Sequence, residues 1–445
     1  MPQSQPKKKS IDTFAFEKFE LDKFRNEIRF FYRLGEKTNF VETLKLKNKA
    51  AWDKINKAAL NEALFGLHLA MGVSYWKAYC PKKIIIKSGA LSKAQADYWN
   101  KLYTIGLGEF YYKNKIDFRK LVKFPFADKK TLPVKIGIKN SFLVPVGGGK
   151  DSIVSAELLN SGHFNFSLFS LGDSKIQKEV SRIIGKKRIL FERTLDKKLL
   201  GLKGAYNGHI PISSIYSFSA LLAGILYGYK YIIFSNEQSA NFGNVKYLGK
   251  NINHQYSKSF EAEKDFNNYV QKFITPDITT FSLLRPFSEL KISEIFSRHK
   301  KYFPYFSSCN NNFKIKGKSK KRWCGKCPKC AFVFSQLSAF LSKKELLGIF
   351  EKNLYDDRKL LGLYLELLGK KDIKPFDCVG TPEEVTAGME LALKKGELNN
   401  SFILKQYSNK ITPGIKNKRG LINAALKIHA INLPGGFGKL ISKSR

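Results

Sequence analysis

The strongest constraint on this chain is the segment Ser141-Phe142-Leu143-Val144-Pro145-Val146-Gly147-Gly148-Gly149-Lys150-Asp151-Ser152. It is an apolar run that ends in three glycines and reopens as a helical stretch to Leu159. Such a run bounded by glycine reads as a buried strand, and strand–glycine–helix is the opening of a βαβ unit. The next segments repeat the pattern. FNFSLFSL (164–171) reads as a strand, a helix starts at Ser174, and RILFER (188–193) is a further strand. An apolar helix over 214–227 and the strand YIIFSN (231–236) follow. This alternation predicts an α/β fold, a parallel sheet with helices on both faces. Pro145 is awkward there, because proline cannot donate to a sheet ladder.

The flanks read differently. FRNEIRFFYRLGEKTNFVETLKL predicts two strands around a turn at Gly35-Glu36-Lys37, and apolar residues at four-residue spacing predict a helix from Ala50 to Tyr79, stopped by Pro81. After about residue 340 the pattern is helical, with Thr381-Pro382-Glu383-Glu384 as a well-formed helix start. We therefore expect an α+β N-terminal domain over 1–134, the α/β domain over 135–340 and a mostly helical region over 341–445.

Composition excludes some classes. With 43% hydrophobic and 26% charged residues among 445, the chain is neither disordered nor collagen-like. No apolar run reaches the roughly 18–20 residues of a membrane span, and the longest, 212–234, is interrupted by serines, Tyr216 and Lys230. The polar N-terminus has no apolar signal region, so a soluble cytoplasmic protein is expected. The formal charge of +41 fits either a lysine-rich composition or a preference for polyanions. Six basic residues fall within Lys314–Arg322, which is either a phosphate-binding run or a solvated loop.

The glycine loop can be tested against known types. A Walker A loop needs Ser or Thr after Gly-Lys, and Asp151 stands there; a dinucleotide fingerprint needs glycine where Ser152 stands. What it resembles is the SGGxDS loop of the PP-loop ATP pyrophosphatases, with Val146 in place of the first serine. That resemblance implies ATP cleaved between its α- and β-phosphates, with the loop holding diphosphate. An ordinary glycine turn is the plain alternative.

Cys309, Cys324, Cys327 and Cys330 form a second cluster, while Cys80 and Cys378 stand alone. Four thiolates suffice for a closed tetrahedral zinc site of structural role; an iron–sulfur cluster and unmetallated thiols are the alternatives. Cysteines in this order after a PP-loop also resemble deazaguanine nitrile synthases, where they hold structural zinc.

A narrower resemblance rests on LHLAMGVSYWKAYCP (67–81), GLGEFYYKN (106–114), PVGGGKDS (145–152), FSNEQSANFGN (234–244), NHQYSKS (253–259), SSCNNNF (307–313), WCGKCPKCAFVF (323–334) and PFDCVGTPEE (375–384). In this order they resemble the MurL family of UDP-N-acetylmuramoyl-L-alanyl-L-glutamate epimerases. The resemblance implies ATP-dependent inversion of the terminal glutamate of a peptidoglycan precursor, with release of AMP and diphosphate. Gly147, Gly148, Gly149, Lys150 and Ser152 would hold phosphates, and Asp151 would orient Mg²⁺ through water. Ser235, Asn236, Glu237, Ser239, Asn241 and Asn244 follow a strand end, where open α/β sheets place ligands, although a polar turn has the same composition.

His254, Tyr256 and Lys258 are candidates for the proton-transfer base or for substrate anion binding, and Arg285 is a further anion-binding candidate. Cys378 is a candidate thiol base or a buried structural cysteine. The competing expectation is a PP-loop enzyme acting on tRNA or a nucleobase, which the positive charge favours. A non-catalytic, zinc-bearing nucleotide sensor is the third.

Overall fold

The computed structural model describes residues 11–314, 319 and 321–442. Residues 1–10, and Lys316, Lys318 and Lys320 of the basic run, lie outside the described residues.

The N-terminal strands β1 (Thr13–Asp22), β2 (Glu27–Leu34) and β3 (Thr38–Leu46) form an antiparallel meander, and β4 (Lys83–Ile86) pairs parallel with β1 at the edge. The two strands expected around Gly35 are β2 and β3; β1 and β4 extend them. Four parallel strands then follow: β5 (Phe142–Pro145), β6 (Phe166–Leu171), β7 (Arg188–Thr194) and β8 (Tyr231–Phe234). After a small hairpin of β9 (Val245–Tyr247) and β10 (Lys250–Ile252), β11 (Thr279–Ser282) pairs parallel with β8.

The large sheet has nine strands in the order β11-β8-β5-β6-β7-β3-β2-β1-β4. Its two halves meet where Thr43–Leu46 runs antiparallel to Phe191–Thr194. One continuous sheet thus spans both sides of position 134.

Helices cover the parallel half on both faces. One face carries α1 (Lys57–Trp76) and α6 (Ile212–Tyr227), with α2 (Lys93–Ile105) and α3 (Gly108–Asn114) beyond them. The other carries α4 (Lys150–Ser161) and α5 (Lys175–Ile184). Farther along the chain lie α7 (Phe260–Phe273), α8 (Glu289–Ser297), α9 (Pro328–Ser338), α10 (Lys343–Phe350), α11 (Leu361–Leu367) and α12 (Pro382–Lys395). Beyond residue 340 the described residues form helices, turns and irregular chain.

Strand periodicity divides the core. Leu143 and Ile232 face the α1/α6 side, while their neighbours Val144 and Ile233 face the opposite core. The meander buries one face only, through Ile28, Phe30, Tyr32 and Leu34 of β2. Helix starts follow capping chemistry. The helix expected from Ala50 to Tyr79 begins only at Lys57, because the Asn56 side chain accepts the N–H groups of Ala58 and Ala59. Ser174 and Thr381 form capping boxes with Gln177 and Glu384.

Pro145 is tolerated for a geometric reason. Val146 N–H donates to Phe169 O, so position 145 turns its missing N–H toward β8, whose pairing with β5 stops at Leu143. That early stop also matters for function. The chain leaves β5 for β6 and β7 on one side, while β8 and β11 lie on the other. This reversal opens a crevice beyond the C-terminal ends of β5 and β8, where such sheets place ligands.

The join between the halves is electrostatic as well as hydrogen-bonded. Arg193 of β7 donates to the Glu42 carboxylate of β3 and, at 3.1 Å, to Ser74 Oγ of α1; Glu42 is fully buried. Arg193→Met is expected to cost about 3–5 kcal/mol by stranding that carboxylate. Adding Glu42→Met should restore most of the loss, read as the midpoint of urea unfolding. Equal losses in the single and double variants would assign the cost to packing instead.

Candidate active site

The glycine loop lies at the crevice between β5 and the first turn of α4. Gly148 has φ +90°, and a Cβ there would meet Ile176 Cγ2 at 2.5 Å, so both backbone and packing require glycine. A Cβ on Gly149 would meet Ser308 Oγ at 2.8 Å, and Ser307 N–H donates to Gly148 O at 3.1 Å. The loop is thereby fastened to the segment that carries Cys309. Gly147 has open space where a side chain would stand. Ser152 Oγ donates back to Gly149 O at 3.0 Å.

Behind the loop is a buried charge cluster. Lys150 opens α4 fully buried, and its ammonium donates to Asp151 and to Glu289, the first residue of α8. Lys329 of α9 reaches the other Glu289 oxygen at 3.4 Å and also donates to Cys378 O. Burial would raise the Glu289 carboxyl, but Lys150 and Lys329 outweigh it and hold the group at about 2. Glu237, after β8, is pushed upward by burial and by the charge of Glu289. Oxygens of Asp151, Glu237 and Glu289 lie within 4.8 Å of one another. Glu384 of α12 caps the cluster by accepting Glu289 N–H at 2.8 Å, and burial with Glu289 nearby lifts it to about 7.

A second constellation adjoins the first through Lys329 and Lys258. Lys258 Nζ lies 3.3 Å from Cys378 Sγ, and His254 Nε2 lies 3.8 Å from the same sulfur. On its other side His254 Nδ1 bonds to Glu109 Oε2, which His209 Nδ1 approaches to 3.6 Å. Burial would raise the Cys378 thiol, yet Lys258 and the His254 bond bring it down to about 7. Burial would lower His254, yet its bonds to Cys378 and Glu109 lift it to about 9. His209 falls to about 3 through burial and the charge on His254. Between about pH 7 and about pH 9 the group is therefore a thiolate–imidazolium pair oriented by a carboxylate, an arrangement suited to proton transfer.

The four cysteines of the second cluster come together. Their sulfurs lie within 4.8 Å of one another, with Cys327–Cys330 at 3.4 Å, Cys324–Cys330 at 3.7 Å and Cys309–Cys327 at 3.9 Å; none is disulfide-bonded. A tetrahedral zinc site with Zn–S bonds near 2.3 Å has sulfur–sulfur edges of about 3.8 Å. The donor set fits that ion.

Other expected residues have local partners. Arg285 is buried and donates to Glu237 O, Lys258 O and the Glu263 carboxylate, so it clamps two site loops together. Asn241 bonds Gln238 O and Phe260 N–H, and Asn244 bonds His254 N–H and the carbonyls of Lys374 and Pro375. Asn236 donates to Ser282 Oγ, and Tyr256 is buried. Ser235 and Ser239 have buried hydroxyls without a partner among the described residues. Of the basic run, Lys321 pairs with Glu351 and Arg322 with Glu179. The sequence alone does not single out Glu109, His209, Glu289, Lys329 or Lys374, and it marks Glu384 only as part of a helix start. Glu109, Lys329 and Glu384 fall inside motifs of the family resemblance, whereas nothing local marks Glu289, far along the chain from Lys150.

No helix among the described residues is long and apolar enough to cross a membrane. Known proteins match the chain over most of its length. The family model of the MurL N-terminal domain matches residues 5–283, and that of the MurL C-terminal domain matches residues 305–420. The UDP-N-acetyl-alpha-D-muramoyl-L-alanyl-L-glutamate epimerase of Xanthomonas oryzae pv. oryzae is 36% identical over 411 residues, covering 91% of each chain. The protein of the same name from a Micromonospora species is 34% identical over 416 residues, covering 91% of this chain and 92% of its own. The one from Salinispora tropica is 34% identical over 401 residues, covering 88% and 86%. The chain belongs to the MurL family.

Proposed function

We propose that this protein inverts the terminal L-glutamate of UDP-N-acetylmuramoyl-L-alanyl-L-glutamate after activating its α-carboxylate with ATP through a PP-loop. The observation that carries this reading is the meeting of two kinds of machinery in one buried site. A glycine loop with an adjoining acid cluster suits phosphates, and beside it stands the Cys378–His254–Glu109 relay. Neither alone suffices. Removing Cα–H beside a free carboxylate would place a second negative charge on the same unit, so the carboxylate must first be neutralised.

In the first step an α-carboxylate oxygen attacks the α-phosphorus of ATP and diphosphate leaves, giving an acyl-adenylate. Gly147, Gly148, Gly149 and the α4 N-terminus would hold the departing phosphates, with Lys150 behind them. Asp151, Glu237 and Glu289 offer the hard oxygens that Mg²⁺ prefers. A bound Mg²⁺ would there neutralise phosphate charge.

The Cys378 thiolate then takes the proton from Cα, with Lys258 and the His254 imidazolium keeping the sulfur anionic. A proton drawn from solvent returns on the opposite face, and Cys378 releases the proton it took to solvent, which restores the thiolate. Water finally cleaves the acyl-adenylate to the D-glutamate product and AMP. Cys309, Cys324, Cys327 and Cys330 would hold structural zinc, since a closed thiolate set leaves no open position for chemistry. The reaction is cytoplasmic in this reading, where ATP and the UDP-linked precursor occur together.

These assignments separate in experiment. With ATP, Mg²⁺ and the UDP-linked dipeptide, Asp151→Asn should abolish AMP formation and inversion together. Cys378→Ala should lower inversion by about 10²-fold or more while AMP formation stays within a few-fold of the parent. Chiral analysis of the glutamate and deuterium uptake from solvent read the second step. Deuterium entering Cα without ATP would sink the activation step.

The pH profile follows from the relay. The thiol must be ionised, so kcat/KM should rise through about 7. The imidazolium must keep its proton, so the rate should fall through about 9. Both limbs belong to the coupled pair, and both should vanish from the residual rate of Cys378→Ala. A flat profile between pH 6 and 10 in the parent protein would contradict the relay.

Elemental analysis should find about one zinc per chain. Cys327→Ser should lose that zinc and lower the melting temperature more than it alters the AMP-to-inversion ratio. Iron with sulfide, or intact protein without metal, would remove the zinc assignment.

A further inference from the structure

The Lys374 side chain is largely buried, and no carboxylate of the described residues pairs with its ammonium. It is 7% exposed, and no hydrogen bond or ion pair from the described residues reaches its ammonium, which sits over the Phe242 ring at 4.9 Å. Burial drives it down to about 8, against the pull of Glu384 and Glu237.

Its backbone is fixed relative to the relay. Asn244 Nδ2 donates to the carbonyls of Lys374 and Pro375, while Asn244 Oδ1 accepts His254 N–H. From Pro375 to Val379 the chain folds through two successive three-residue turns, Asp377 N–H to Pro375 O and Val379 N–H to Asp377 O. Asp377 also accepts Cys378 N–H at 2.8 Å. Lys374 and the Cys378 thiol therefore stand on one rigid loop.

Resting on the function proposed above, we infer that Lys374 receives the side-chain carboxylate of the residue being inverted and so selects an acidic residue at that position. In glutamate that carboxylate is three bonds from the carbon whose proton the thiolate removes, so its receptor must lie close to Cys378. The α-carboxylate is committed to the glycine loop. A diphosphate is the less suitable occupant, because phosphates are held by several converging donors and Lys374 offers a single ammonium.

The test compares UDP-linked dipeptides ending in L-Glu and L-Gln, which share the α-carboxylate and differ only in side-chain charge. The parent protein should favour Glu by about 10²-fold in kcat/KM, a comparison that needs no variant. Lys374→Met should remove that preference, raising KM for the Glu peptide by about 10²-fold and changing the Gln peptide less than threefold. Lys374→Arg should keep part of the preference. Loss of activity on both peptides alike, with the ratio intact, would make Lys374 a support of the acid cluster and overturn the inference. A raised KM for ATP with an unchanged Glu/Gln ratio would overturn it in favour of phosphate. Parent protein that inverts neither peptide would overturn the function itself, and this inference with it.

Discussion

The site depends on one carboxylate. Glu289 is 1% exposed and opens α8, yet it touches the chain from three distant directions. Lys150 brings the glycine loop to it, Lys329 brings the helix of the cysteine cluster, and Glu384 of α12 accepts its backbone N–H. Lys329 passes the connection on to Cys378 O. A buried acid is tolerable only when paired, and losing one partner of such a pair costs several kcal/mol, about 3–5. The same requirement that holds Glu289 in place thus fixes the distance between the glycine loop and the Cys378 thiol. Zinc at the four cysteines would stiffen the same frame, because the Cys309 segment is bonded to the glycine loop at Gly148.

What was legible in the sequence follows from what is local in the chain. The glycine loop, the alternating strands and helices, and the capping box at Thr381 are written within a few residues each. So is the cysteine spacing, whose four sulfurs do converge. The antiparallel join of β3 to β7 was not legible, because pairing across well over a hundred residues leaves no periodic mark. Arg285 shows the limit for single residues. A buried arginine and an anion-binding arginine look alike in sequence, and only the structure shows its donors turned to Glu237 O, Lys258 O and Glu263. His254 and Cys378 were both candidates for the base, and the sequence had no means of placing them 3.8 Å apart. Glu289 gave no signal at all, since its importance comes from partners in α4, α9 and α12.

The two halves of the site use charge in opposite ways. At the loop, acids gather: burial and Glu289 push Glu237 upward, and the pair lowers its energy when a cation or a lysine arrives. At the relay, cations surround a sulfur. Lys258 and His254 draw the thiol downward, and Glu109, held near 2 despite burial, keeps the imidazolium charged. Were the acids next to the sulfur without Lys258 and Lys329 between them, they would raise the thiol. Lys329 lies between them, bonded to Glu289 on one side and to Cys378 O on the other.

This division also gives a meaning to the formal charge of +41. Inside, the buried acids Glu42, Glu109, Glu237, Glu289, Asp377, Glu384 and Glu390 outnumber the buried cations Lys150, Arg285, Lys291, Lys329 and Lys374. The excess of positive charge is therefore carried mainly by the surface. A surface field of that sign raises the encounter rate with any polyanion, nucleic acid included, and does not by itself select one. Selection requires buried groups with fixed geometry. For a proposed substrate bearing a diphosphate and two carboxylates, together with ATP, the outer field and the inner site have different tasks: the first concentrates anions, and the second admits each only where a cation is held for it.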